Sequence, residues 1–136
     1  MQLPVEQSPS VTQFPPLQDV GGVRDRTVGT VSVIDLRGSF MGSVAVHGLN
    51  DRIWTLLTQD AWEFVINLGE ISDIDSSGLG GLAEAYNQVT NAGGAIKFSG
   101  APQRVERLLQ RTRLNTIFEL YDSERAALAS FNHSEQ

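Results

Sequence analysis

An α/β fold with a mostly parallel sheet is what this chain predicts, on three observations. Trp62 to Leu68 is a largely apolar segment built on the run Phe64-Val65-Ile66, the pattern of a strand buried on both faces. From there onward strand-like and helix-like segments alternate, which calls for parallel strands joined by right-handed crossovers. The chain has 136 residues and no cysteine, one domain's worth, enough to bury a single core without disulfides or a structural metal. The expected architecture is a sheet of about four or five strands with about four helices, alternating β-α after an N-terminal strand.

Residues 1–19 contain Pro4, Pro9, Pro15 and Pro16 with few periodic apolar positions, and read as a flexible arm ahead of a domain over 20–133. Val20 to Arg24 suggests a short strand, weakened by Gly21-Gly22. Thr27 to Leu36 is rich in β-branched residues and reads as one strand ending at Arg37-Gly38. Leu49, Ile53, Leu56 and Leu57 recur at helical spacing, with Asn50-Asp51 placing acid near that helix's start. After the central strand, Ser77 to Asn91 carries Leu79, Leu82, Tyr86 and Val89 on one face and stops at Gly93-Gly94. Ala95 to Ser99 is the next strand. Pro102 opens a helix whose inward stripe is Val105, Leu108, Leu109 and Thr112. Thr116 to Leu120 is a short strand, and Ser123 starts a last helix running to Phe131.

Composition excludes several classes. A formal charge of −6 argues against a surface that tracks phosphates. Arg104, Arg107, Arg111 and Arg113 cluster mostly at helical spacing, as on a solvated helix face. No signal peptide is visible and no apolar stretch approaches the ~20 residues needed to span a bilayer. The lack of cysteine is compatible with a reducing cytoplasm. His47 and His133 lack a ligand spacing, so no metal or other cofactor is expected.

The most informative segment is Asp75-Ser76-Ser77-Gly78-Leu79-Gly80, which follows the central strand and opens a helix. The first N–H groups of a helix lack intrahelical partners, and Ser and Asp oxygens are favoured for capping them. Local chemistry alone leaves two readings, a capped helix start or a serine hydroxyl held out for another protein's active site. Three other machineries fail on spacing. A phosphate-binding loop needs a lysine that does not follow Gly80 or Gly81. A dinucleotide fingerprint needs a third glycine where Ala83 and Glu84 stand. A nucleophile elbow needs Gly-x-Ser-x-Gly, but Ile74-Asp75 precede Ser76. In a parallel sheet, ligands and partners meet the protein at the carboxyl ends of the strands, where this turn lies.

From Val65 onward the chain resembles the STAS domains of bacterial anti-sigma factor antagonists. The resemblance rests on Val65 to Leu68, then Ile71 and Ile74, then the Asp75 to Gly80 motif. It continues through Ala92-Gly93-Gly94, Val105 to Leu109, Leu114 to Phe118 and Glu124 to Ala126, and upstream through Val33 to Phe40. It covers about residues 28 to 131. Two places depart from the family pattern: the strand before the motif ends in Asn67-Leu68 rather than Asp-Leu, and Met41 to Gly48, with His47, does not match the expected loop.

The resemblance implies a partner-switching regulator of transcription with no enzyme activity of its own, cytoplasmic, and a monomer or weak dimer. It makes Ser76 the residue phosphorylated by a partner kinase that doubles as an anti-sigma factor, with Ser77 the lesser alternative and a PP2C-type phosphatase resetting the switch. The partner would meet Asp73, Asp75, Ser76, Ser77, Gly78, Leu79 and Gly80, the glycines letting its backbone come close and Leu79 serving as core or anchor. Nucleic acid and membrane are not expected partners. Related modules suggest two alternatives, a scaffold subunit in a signalling assembly and a small-ligand or nucleotide sensor.

Overall fold

A computed structural model of the protein describes residues 22–131, so the arm expected over 1–19 lies outside the described residues. The elements are β1 (Val23–Val28), β2 (Val31–Phe40), α1 (Gly42–Thr58), β3 (Glu63–Ile74), α2 (Ser76–Asn91), β4 (Ala95–Ser99), α3 (Gln103–Arg111), a 3₁₀ turn (Leu114–Thr116), β5 (Glu119–Tyr121) and α4 (Glu124–Ala129). The five strands lie side by side in chain order. β1 pairs antiparallel with β2, and the other three pairings are parallel. This is the α/β architecture that the alternation predicts.

Strand alternation divides the core. Ile34, Leu36, Phe64, Ile66, Leu68, Ile96 and Phe98 face α1, α2 and α3. Val31, Val33 and Val65 face the opposite way, toward Ala127 and Phe131 at the C-terminal end. Phe64, Val65, Ile66 and Leu68 are all fully buried, as the apolar run requires. Lys97 also points to the α4 side, where its ammonium meets Glu119 at 3.2 Å, the Ser130 carbonyl at 3.3 Å and the Phe131 ring at 4.5 Å.

Several expected boundaries are corrected. Thr27 to Leu36 is not one strand, because the chain reverses at Gly29-Thr30 between the paired Val28 and Val31. Gly29 has φ 62 at the first position of this two-residue loop, the requirement of a tight hairpin turn that follows strand twist. α1 begins at Gly42, so Asn50-Asp51 lie in mid-helix and Met41 to Gly48 is mostly helical. Its buried stripe, Ala45, Leu49 and Ile53, runs back one turn further than the predicted one. Pro102 caps α3 rather than standing inside it, and Thr112 is its exposed C-cap, outside the buried pair Val105 and Leu109. Thr116 ends the 3₁₀ turn, so the last strand comes later, at Glu119–Tyr121.

On the α4 side a polar row crosses the sheet. Asp35 accepts from Arg26 Nε at 2.8 Å and from Asn67 Nδ2 at 2.8 Å, and Arg26 Nη2 reaches Glu124 on α4 at 2.6 Å. The Asn67 amide uses both ends, since its Oδ1 accepts the Gly69 N–H at 3.0 Å. This accounts for asparagine where the family pattern has aspartate: a carboxylate there would face Asp35 with like charge. Burial pushes the Asp35 carboxyl up, but the hydrogen bonds from Arg26 and Asn67 outweigh it and hold the group below its ordinary range.

Candidate functional site

β2 and β3 run past the rest of the sheet. β4 pairs with β3 only as far as Asn67, whereas β2 stays paired with it to Ile74. The pair projects as a two-stranded ribbon, and Ile71 and Ile74 on it are buried. The ribbon carries the motif to the carboxyl end of the sheet, and α2 starts directly from its tip.

The helix start is capped by one residue. Asp75 has extended backbone, φ −116 and ψ −172, and its Oδ1 accepts the Gly78 N–H at 2.8 Å. The Leu79 N–H bonds to the Asp75 carbonyl at 2.9 Å. Capping is therefore done by the aspartate, and neither serine is needed for it. Ser76 and Ser77 occupy the first two helical positions and both are exposed. Neither hydroxyl has a hydrogen-bond partner among the described residues, and the backbone N–H groups at these positions are those a helix leaves without intrahelical acceptors.

The glycines divide in role. A Cβ on Gly78 would stand 2.3 Å from the Phe40 carbonyl oxygen and 2.7 Å from Ile74 Cγ1. Gly78 is buried, and its smallness lets α2 sit on the ribbon. A Cβ on Gly80 would meet nothing within 4 Å, and that position is exposed. Leu79 is buried in the core. Of the seven expected contact residues, Gly78 and Leu79 thus lie inside the fold, while Asp73, Ser76, Ser77 and Gly80 are exposed and Asp75 is half-buried.

Two neighbours of the motif were not predicted. Arg104, expected on a solvated face, donates to the Ser72 carbonyl at 2.9 Å and lies 3.5 Å from Asp73 Oδ1, so the turn's acidity is partly offset. Between α1 and α2 a cavity of about 410 Å³ is lined by Ser43, His47, Asn50, Ser77 and Glu84, among others. At the start of α1, Val44 (72 %) and the N-cap residue Met41 (40 %) are exposed. The backward continuation Ala45–Leu49–Ile53 was the available signal for this half of the helix, obscured by Gly42 and Gly48. Among the described residues no cluster of three or more His, Cys, Asp or Glu could hold a metal, and no helix is long and apolar enough to cross a membrane.

The STAS domain family model matches residues 23–127, and the chain belongs to that family. A candidate anti-sigma factor antagonist of Thermotoga neapolitana is 32% identical over 66 residues, covering 48% of this chain. The chain spans 58% of that relative's length. Among solved structures, a candidate anti-sigma factor antagonist of Thermotoga maritima superposes with TM-score 0.73 at 20% identity, over 79% of this chain and 92% of that one. The anti-sigma factor antagonist SpoIIAA in its unphosphorylated form gives 0.70 at 20% identity, over 81% and 96%. The phosphorylated form of the Bacillus protein gives 0.65 at 21% identity, over 80% and 98%. At these identities the structural matches establish a shared fold.

Proposed function

We propose that this STAS domain is an anti-sigma factor antagonist whose binding to a partner serine kinase is switched by a phosphate on Ser76. The observation that carries the reading is the division of labour at the helix start: Asp75 holds the cap and Ser76 keeps an exposed, unengaged hydroxyl. The named relatives support the class of activity. In the transfer, Ser76 Oγ attacks the terminal phosphorus of a nucleoside triphosphate and the bond to the leaving diphosphate breaks. The hydroxyl proton passes to a base on the kinase. Base, nucleotide and metal belong to the kinase, and this chain supplies the acceptor.

The product fits the site electrostatically. A phosphoryl group adds about −1.5 to −2 charge at neutral pH. At the first turn of α2 that charge meets free N–H groups and the positive end of the helix dipole, which tolerate it by about 0.3–1 kcal/mol or more. The fold should survive while a partner surface that packs on the bare turn is repelled. Like-charge juxtaposition at an interface costs several kcal/mol, and about 3 kcal/mol corresponds to roughly a hundredfold in affinity. Co-purification from the source cells identifies the kinase. Incubation with it and ATP, followed by peptide mapping, is expected to place the phosphate on Ser76; a phosphate confined to any other residue contradicts the assignment.

A further inference from the structure

The end of β3, which delivers the motif, is held from a second helix. Arg104, the second residue of α3, donates from Nη2 to the Ser72 carbonyl at 2.9 Å and from Nη1 to Asp73 Oδ1 at 3.5 Å. The two contacts are unequal. The first has ordinary hydrogen-bond length, whereas the second lies at the limit where such a bond ceases to count. The same Asp73 oxygen already accepts the Ile74 N–H at 3.1 Å. A guanidinium has five donors, so Arg104 is anchored on the β3 backbone with most of its donors weakly committed, and its side chain is 65% exposed.

Ser76 follows the anchor point closely. Four residue steps of extended chain measure at most about 13 Å, so a reoriented arginine side chain and a phosphoserine side chain together need bridge no more than that span. On the reading that Ser76 is the modified residue, we propose that Arg104 is the switch's internal counter-charge. It rests on Ser72 and Asp73 while Ser76 is bare and turns to the phosphate when Ser76 carries one. A phosphate offers three strong acceptors and nearly twice the charge of a carboxylate, and its pairing with arginine is bidentate. The exchange also strips Asp73 of its cation. Phosphorylation would then change the partner-facing surface at two points, adding an anion at Ser76 and unmasking another at Asp73.

The test uses the full chain with phosphoserine placed at position 76 during translation, so it needs no kinase. Phosphorus NMR titrates the second ionisation of the phosphate in the parent, in Arg104→Gln and in Arg107→Gln, the last removing an exposed arginine further along the same helix. The parent phosphate is expected to titrate lower than that of Arg104→Gln by about half a unit or more, with Arg107→Gln following the parent. Superimposed curves for all three overturn the proposal, as does an Arg107→Gln shift as large as that of Arg104→Gln. If Arg104→Gln does not fold, Arg104→Lys keeps the charge without the fork, and its curve should then lie above the parent's; coincidence with the parent overturns the assignment. A kinase that ignores phosphate on Ser76 would end the functional reading but leave this pairing standing, so the two failures are distinguishable.

Discussion

Two helices of this protein begin with the same chemistry and put it to different use. At α4, Ser123 is the cap, and its Oγ accepts the Ala126 N–H at 3.1 Å. At α2 the cap is Asp75, one residue earlier than the serines, and Ser76 and Ser77 fall inside the helix with their hydroxyls outward. A serine at a helix start is structural when it holds the cap position and spare when another side chain already does. The difference is one residue of register. It separates a position that the fold needs from one that the fold can lend to a partner.

Substitutions break or sharpen that contrast. The largest effect is expected in binding: Ser76→Asp should remain folded by circular dichroism yet lose about a hundredfold in affinity for the kinase. Undiminished binding by a folded Ser76→Asp would argue that the hydroxyl is not the switch. Next comes Gly78→Ala, whose added carbon meets the Phe40 carbonyl and the Ile74 side chain. Overpacking of this kind costs about 1–3 kcal/mol, read as a lower urea midpoint, whereas Gly80→Ala has open space and should differ little from the parent.

The direct contrast is smaller. Ser123→Ala removes a cap and should cost about 1 kcal/mol, while Ser76→Ala should stay within about 0.5 kcal/mol of the parent in chemical unfolding. Equal losses at the two serines would mean that Ser76 has a structural role after all. Smallest is a pH effect at the row that ties α4 to the sheet. Asp35 lies below its unfolded value of 3.8 in the folded protein, because hydrogen bonds from Arg26 and Asn67 outweigh its burial. The stability it contributes is complete above that value and is lost as pH falls through the lower folded one. Urea midpoints measured from neutral pH down past 4 should therefore fall less steeply in Asp35→Asn than in the parent.

The parts legible in the sequence were those with strong local signals. The apolar run to Leu68 announced the central strand, and the glycine pair after Asn91 announced the end of α2, where Gly93 has φ 86. The Gly29 hairpin was missed because Thr27, Val28, Thr30 and Val31 are all β-branched and read as continuous strand. The first half of α1 was missed because glycines flank its apolar positions. At the site, composition could offer Asp75, Ser76 and Ser77 as capping candidates, but which one caps depends on backbone geometry. The Arg104 contact joins residues 31 and 32 positions apart, beyond the reach of any local pattern. The need for a small residue at Gly78 comes from Phe40 on another strand, which no local pattern reveals.

The most direct measurement titrates the purified kinase with two preparations of the chain, one bare and one fully phosphorylated on Ser76, while a thermal melt of each reports the fold. The account predicts overlapping melts and affinity lower by roughly two orders of magnitude for the phosphorylated preparation. Equal affinities with overlapping melts, or a phosphorylated preparation that no longer melts cooperatively, would contradict it.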